Sequence, residues 1–205
     1  MRGDLIQIRP FWDAHNNGQD VNRWSIIHPR FQDHDGCIVD LGCFGWNRDF
    51  NNASSDNWAG YFFGKKRLIG VDPQESPNAH SELFSGFISN FTGKANLIND
   101  GIQGKICPDP NGIYNVLTWK EFKHQFNINS VSILKVNIEG SEIDVIPSLN
   151  TEDFKSIDQI AISFHDWLYP DIHSKVQECI NHITAHNYED IDLGIYGWHL
   201  FLKKY

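Results

Sequence analysis

The chain has 205 residues, of which 40% are hydrophobic and 21% charged, and this composition indicates a single globular domain rather than a disordered chain. The formal net charge of −9 disfavours nucleic acid as a partner, because an acidic protein repels a phosphate backbone. No stretch approaches the roughly 20 apolar residues that a membrane span requires.

Residues 1–36 are predicted to be a polar N-terminal extension that caps the fold or covers a ligand cleft. One short helix is expected there, before Pro29. Residues 37–205 are predicted to form the main domain, in which strands alternate with helices.

The first half of this domain is predicted to contain three strands, two helices and a loop. In chain order they are a strand at 37–42, a helix at 54–66, a strand at 67–73, a helix at 77–91 that begins at Pro77, a weaker strand at 95–101 and a Gly- and Pro-containing loop at 104–112.

The second half is predicted to contain three helices, two strands and a closing strand pair. These are a helix at 118–126 with Thr118 as its N-cap, a strand at 131–138, a helix at 141–149, a strand at 157–165, a helix at 171–187, and paired strands at 188–194 and 198–205.

Strands that alternate with helices predict a mostly parallel sheet with helices on both faces, and ligands bind beyond the carboxyl ends of its strands. Polar residues and glycines gather at these ends. They are Asp40, Gly42, Cys43, Phe44 and Gly45 after the first strand, Asp72 after the second, Asn99, Asp100 and Gly101 after the third, Asn137, Glu139 and Gly140 after the fourth, and His165, Asp166 and Trp167 after the fifth.

An acid after the second strand, together with a glycine-containing turn after the first, is typical of a ribose-binding site. The turn "DLGCFG" is not GxGxxG and lacks the Lys-Ser or Lys-Thr of a P-loop, so a pyrophosphate or triphosphate is disfavoured. A cofactor with ribose and adenine but no phosphate, S-adenosylmethionine, fits better. Each residue also has a structural interpretation: Asp72 as a cap, Asp100 as a turn residue, and Glu142 as a first-turn partner of the helix dipole.

The segments "IVDLGCFGWN", "LIGVDP", "LKVNIEGSEIDVI" and "IAISFHDW" together resemble the FkbM-type S-adenosylmethionine-dependent methyltransferases. The resemblance covers residues 37–167. It is most specific at 135–142, which is similar to the family's Lys-Ile-Asp-x-Glu-Gly-x-Glu segment. "YNVLTWKEF" also resembles the family's short strand and Thr-led helix before that segment.

The resemblance implies a class I methyltransferase fold, which is Rossmann-like and has seven strands, the last of them antiparallel. It further implies that Asp40, Gly42 and the following turn face the methionine part of the cofactor. Asp72 would hold the ribose, Asp100 would lie near the adenine, and residues 135–142 would lead into the active site. Two positions depart from the family: Trp46 replaces its second glycine, and Asn137 replaces its Asp.

His165 is predicted to be a general base for a hydroxyl acceptor, because it follows the fifth strand and titrates in the useful range. Asp166 would orient it or accept the proton itself. His199 is a second candidate, since an antiparallel last strand would begin on the same rim. No metal is assigned, although Glu139, His165 and Asp166 could supply ligands to a divalent ion.

The sequence therefore predicts an S-adenosylmethionine-dependent O-methyltransferase that acts on a hydroxyl of a glycan or small natural product. The alternatives are a non-catalytic module that binds the same cofactor and an NAD-dependent oxidoreductase. Four cysteines without CxxC spacing, and an N-terminus without a signal-peptide pattern, predict a cytoplasmic location.

Overall fold

The computed structural model describes residues 11–12, 20–21, 34–47, 59–100, 103–194 and 197–205. They form thirteen strands and four α-helices. The strands are β1 (Phe11–Trp12), β2 (Asp20–Val21), β3 (Cys37–Leu41), β4 (Leu68–Val71), β5 (Glu82–Phe84), β6 (Gly86–Ser89), β7 (Gly93–Asp100), β8 (Gln103–Pro108), β9 (Tyr114–Thr118), β10 (Val131–Val136), β11 (Ile157–Ser163), β12 (Tyr188–Asp192) and β13 (Trp198–Lys203). The α-helices are α1 (Trp119–Gln125), α2 (Glu142–Val145), α3 (Thr151–Lys155) and α4 (His173–Ala185).

Seven of these strands form one large sheet in the order β5-β4-β3-β10-β11-β13-β12. The neighbours pair in parallel except around β13, which is antiparallel to both β11 and β12. The predicted Rossmann-like α/β fold, with a seven-stranded, mostly parallel sheet and an antiparallel last strand, is confirmed.

The central strands β3, β4, β10 and β11 are buried along their whole length, as expected where both faces of a parallel sheet are covered. All four α-helices contribute to the core on one face, through residues such as Phe122, Phe154 and Val176. On the opposite face, the described cover includes the 3-10 helix Ala59–Phe62 and the side chain of Trp46.

Helix α1 begins where the sequence predicts. The Thr118 side chain accepts a hydrogen bond from the Glu121 backbone, and the Glu121 carboxylate accepts one from the Thr118 backbone, which completes a capping box. The predicted helix at 171–187 corresponds to α4 and the 3-10 turn Pro170–Ile172 before it. The predicted closing strand pair is formed by β12 and β13.

The predicted helix at 77–91 is wrong, because this segment forms β5 and β6. Phe84, Phe87 and Ile88 are buried there, and aromatic and β-branched residues favour strands. A Cβ on Gly86 would lie 2.4 Å from the Asn115 carbonyl oxygen, so Gly86 allows the close parallel pairing of β6 with β9.

The strand predicted at 95–101 exists but lies in the wrong place. It belongs to β7, in a separate four-stranded sheet of order β6-β9-β7-β8, and the third strand of the large sheet is β5 instead. Asp100 therefore ends a strand of the smaller sheet, whereas Gly101 lies outside the described residues. Part of the loop predicted at 104–112 also forms a strand, β8.

The predicted helix at 54–66 is represented by the 3-10 helix Ala59–Phe62, and its first residues lie outside the described part. In the N-terminal extension, β1 and β2 pair antiparallel, and the helix predicted before Pro29 lies outside the described residues. Within the ranges described, no helix has the length and hydrophobicity needed to cross a membrane. All four cysteines are free thiols.

Trp46 is buried against Gly70, in the middle of β4. A Cβ on Gly70 would lie 2.3 Å from the Trp46 ring and 2.6 Å from Cys43 Sγ. The Trp46 indole N–H donates to the Ser76 carbonyl at 3.3 Å. The indole therefore occupies the volume that any side chain at position 70 would need.

We expect Gly70→Ala to destabilise the protein by about 1–3 kcal/mol, the usual cost of overpacking a core. The double variant Gly70→Ala/Trp46→Phe should lose less than the sum of the two single changes, because the smaller ring leaves room for the new methyl group. Urea unfolding of the four proteins measures this coupling. Strict additivity would contradict the packing described.

Candidate functional site

The chain order of the large sheet reverses between β3 and β10, and such a switch point opens a crevice at the carboxyl ends of the strands. Gly42 follows β3 with φ +79°, and a Cβ there would lie 1.9 Å from the Asn137 carbonyl oxygen. Only glycine fits both the conformation and the space. The loops that leave the two strands are therefore in direct backbone contact.

A buried ion pair lies beneath this contact. Lys135 Nζ on β10 is 2.8 Å from Asp40 Oδ1 on β3, and both side chains are almost fully buried. Lys135 Nζ also donates to the Gly42 carbonyl at 2.5 Å. Asp40 thus lies under the turn rather than on its surface, and Lys135 ties the turn to β10.

The turn residues after Gly42 point in different directions. Cys43 is buried against Gly70, whereas Phe44 is 53% exposed on the rim. Burial raises the pKa of the Cys43 thiol, and the nearby Asp40 and Asp72 carboxylates raise it further, so this thiol stays protonated.

The Gly45 N–H donates to Glu75 Oε2 at 2.6 Å, and the Asn47 side chain donates to Glu75 Oε1 at 2.8 Å. Glu75 was not among the predicted site residues. The sequence signal that could have identified Glu75 is its position three residues after Asp72, in the loop that faces the glycine-containing turn.

Asp72 lies directly after β4 and is only 8% exposed. Its Oδ1 accepts a hydrogen bond from the Gln74 N–H at 2.8 Å. Burial raises the pKa of Asp72, while the Gln74 N–H and the charge of Lys135 oppose that shift. The structure thus places a buried carboxylate at the end of the second strand, where the sequence predicts it.

His165 lies just after β11 and is 4% exposed. Its Nδ1 is 2.9 Å from Glu142 Oε1, which also accepts the Ile138 N–H at 2.9 Å. Its Nε2 is 3.5 Å from Glu139 Oε2. His165 therefore lies between a fully buried carboxylate of α2 and a half-buried one of the loop after β10.

The electrostatic environment of His165 favours its protonated form. Burial lowers the pKa of His165, but the hydrogen bond to Glu142 and the charges of Glu142 and Glu139 outweigh burial and raise it above the usual value. For Glu139 the direction of the burial effect is reversed: burial raises the pKa of this carboxyl group, whereas the positive charge of His165 lowers it.

Glu139 has φ +55°, a left-handed conformation that is uncommon for residues other than glycine. Strain of this kind is concentrated at functional sites. In this protein the strained backbone belongs to the residue whose carboxylate lies beside His165 Nε2.

Two predicted catalytic residues are engaged elsewhere. Asp166 Oδ2 is 2.7 Å from Nδ1 of the exposed His173, so the residue that orients His165 is Glu142 and not Asp166. His199 Nδ1 is 2.8 Å from Asp190 Oδ1, and its ring stacks on Phe201. His199 lies opposite Ile162 of β11, and its ring also contacts Phe164 edge to face.

The candidate metal ligands are only partly brought together. Glu139 and His165 face each other, whereas Asp166 pairs with His173. Among the residues that the structure describes, no group of three His, Cys, Asp or Glu side chains has an arrangement suited to a metal ion.

No protein-family model matches the chain, and no curated protein sequence matches it. Among solved structures, the chain is similar to the MycE methyltransferase from the mycinamycin biosynthetic pathway in complex with Mg and SAH, with a TM-score of 0.46 and 12% identity. A second MycE structure, with Mg, SAH and mycinamycin VI, gives a TM-score of 0.44 and 14% identity. In both cases the alignment covers 85% of this chain and 46% of the other, so the chain spans about half the length of these proteins.

Lys135→Met should destabilise the protein by about 3–5 kcal/mol, because it leaves the buried Asp40 carboxylate without its cation. Lys155→Met is the matched control, since Lys155 pairs with Glu152 on the surface, and it should cost about 1 kcal/mol or less. Denaturant unfolding measures both variants. Equal losses would show that the buried pair does not stabilise the turn.

Proposed function

We propose that the protein is an S-adenosylmethionine-dependent O-methyltransferase whose acceptor is a hydroxyl of a sugar or small natural product. The observation that carries this proposal is the convergence of acidic groups and a buried histidine at one switch point of a Rossmann-like sheet. Asp72 lies on one side of the Gly42 turn, and the Glu142–His165 pair lies beyond the other side.

The charge of the rim supports a cationic cofactor. Asp72, Glu75 and Glu139 are all carboxylates at the carboxyl edge of the sheet, and a sulfonium with an α-ammonium group is attracted to such a surface. A pyrophosphate would need free backbone N–H groups in the glycine turn. The Gly45 N–H is instead bonded to the Glu75 carboxylate, which would repel a phosphate. This arrangement disfavours an NAD-dependent oxidoreductase.

The residues that would hold the cofactor follow from their positions. Asp72 would accept hydrogen bonds from the ribose hydroxyls, because an ionised carboxylate that accepts the Gln74 N–H still has further acceptor lone pairs. The turn from Gly42 to Gly45 would face the methionine part, held in place by Lys135 from below. When bound, S-adenosylmethionine supplies an electrophilic methyl group.

His165 would act as the general base. An alcohol is a poor nucleophile while protonated, so removal of its proton by a positioned imidazole accelerates transfer. Glu139, beside His165 Nε2, would accept a hydrogen bond from the acceptor or stabilise the imidazolium that forms.

Two exposed aromatic side chains support a ring-shaped acceptor. Trp167 is 51% exposed, and its ring centroid is 6.2 Å from that of His165. Phe44 is exposed on the turn after β3. Aromatic faces at the rim suit stacking against a sugar or another flat ring, which would bring its hydroxyl towards His165.

Asn137, which stands where the family has Asp, favours a second candidate: a module that binds the cofactor without catalysing transfer. Calorimetry with S-adenosylhomocysteine and with NAD, followed by an assay of S-adenosylhomocysteine formation over a panel of sugars and phenols, separates the candidates. The enzyme binds S-adenosylhomocysteine and turns over an acceptor, the module only binds, and an oxidoreductase binds NAD.

Asp72→Ala should weaken S-adenosylhomocysteine binding by about 1.5–3 kcal/mol, the range for hydrogen bonds to a charged group. Asp109→Ala is the matched control, because Asp109 Oδ1 accepts the Asn111 N–H at 2.8 Å in the same kind of turn, beside the smaller sheet. Calorimetry should detect the loss only in the first variant. Unchanged affinity would remove Asp72 from the ribose site.

His165→Gln should lower kcat by about 10²–10⁴-fold, the contribution of a general base, and leave the affinity for S-adenosylhomocysteine nearly unchanged. His124→Gln, on the exposed face of α1, provides the control. Turnover is measured with the best acceptor from the panel. Full activity of the His165 variant would mean that the base is another group or that none is needed.

A further inference from the structure

We propose that Glu142 is the positioning residue of a buried Glu142–His165 dyad, which fixes the imidazole so that Nε2 is the basic atom presented to the acceptor. The sequence favours a different role for Glu142, that of a first-turn partner of the helix dipole. The inference rests on the proposed function for its catalytic meaning, although the dyad itself can be tested without activity.

Hydrogen bonding fixes the tautomer of His165. Glu142 Oε1 accepts the Ile138 N–H and is therefore an acceptor, so its 2.9 Å contact with His165 requires a proton on Nδ1. The lone pair of the neutral ring is then on Nε2, which faces Glu139. This is the arrangement in which a carboxylate holds a catalytic histidine by its Nδ1–H.

Glu142 is itself held in place. Its Oε1 also accepts the Ile138 N–H, in the loop that leaves β10. The side chain is fully buried, and close packing around it restricts a change of rotamer. Its Oε2 has no hydrogen-bond partner in the part of the chain that the structure describes. A single carboxylate oxygen thus links α2, the loop after β10 and the loop after β11.

Two other histidine–carboxylate pairs show what distinguishes this one. His173 pairs with Asp166 at 2.7 Å, but His173 is 66% exposed. His199 pairs with Asp190 at 2.8 Å, and both are partly exposed. Among these three pairs, only Glu142–His165 is buried on both sides, and a buried charge pair retains more of its interaction energy than a solvated one.

Three charged groups face His165 from the elements packed around it: Glu142 from α2, Glu139 from the loop after β10, and Lys135 from β10. The two carboxylates outnumber the one cation. In the proposed step the acceptor O–H bond breaks, the proton bonds to His165 Nε2, and the electron pair stays on the acceptor oxygen. The imidazolium that forms is stabilised by Glu142 on one side and by Glu139 on the other.

The carboxylates therefore determine the pH at which the base is available. His165 accepts a proton only in its neutral form, and this form appears as pH rises through the pKa of His165. Removal of the Glu142 charge lowers that pKa, so the neutral form should appear at lower pH. A Glu142 side chain that does not interact with His165 in solution would leave the midpoint of this titration where it is.

The test is a titration of the histidine rings of the full chain by ¹H–¹⁵N NMR, with no ligand present, for the wild type, Glu142→Gln and Asp190→Asn. Gln can still accept the Nδ1–H bond but carries no charge. We expect Glu142→Gln to lower the pKa of His165 by about one unit or more. Asp190→Asn should alter the His199 signals and leave those of His165 unchanged.

Glu139→Gln provides a second variant if Glu142→Gln does not fold. It removes the other carboxylate at the rim and should also lower the pKa of His165, while the Nδ1-protonated tautomer persists. An unchanged His165 pKa in Glu142→Gln would overturn the dyad. So would an Nε2-protonated tautomer in the wild type, and that measurement does not depend on the folding of any variant.

The proposed function has its own test: it is wrong if the wild-type protein does not bind S-adenosylhomocysteine or does not turn over any acceptor. If turnover is present, the acid limb of the kcat profile should move to lower pH in Glu142→Gln, with the KM for S-adenosylmethionine unchanged. An unmoved acid limb would overturn the positioning role, even in an active methyltransferase.

Discussion

The buried Lys135–Asp40 pair is the interaction on which the candidate site depends. It joins the two strands between which the chain order of the sheet reverses, and the same ammonium group donates to the Gly42 carbonyl. Two charges in a core are costly to desolvate, and apolar side chains of similar volume would often be at least as stable. The main effect of the pair is therefore to fix the position of the turn, rather than to add stability beyond what an apolar pair would give.

Around this pair the acidic groups divide into two clusters with different chemistry. Asp72 and Glu75 accept hydrogen bonds from backbone N–H groups, an environment that keeps a carboxylate in one orientation. Glu139 and Glu142 instead flank an imidazole, an environment in which a proton can be received. Both clusters lie at the same carboxyl edge of the sheet, one after β4 and the other after β10 and β11, with the end of β3 between them.

The tryptophan at position 46 is accommodated by packing. Where the resemblance expects a second glycine, the chain has Trp46, and the indole fills the space above Gly70. The ring extends the core under the turn, and its N–H reaches the Ser76 carbonyl in the loop that also carries Glu75. The indole of Trp46 therefore fits only because residue 70 is a glycine and has no side chain.

The sequence by itself determined the central strands, the capped start of α1 and the presence of Asp72 and His165 at strand ends, because apolar runs, capping residues and breaks in a strand are local patterns. Only the tertiary structure decided that residues 77–91 form strands and that Asp100 ends a strand of another sheet, since strand pairing joins residues distant in the chain. Tertiary structure also decided that Glu142 holds His165. The partner of a buried side chain is chosen by packing between elements, and neighbours in sequence, such as Asp166, can face the other way.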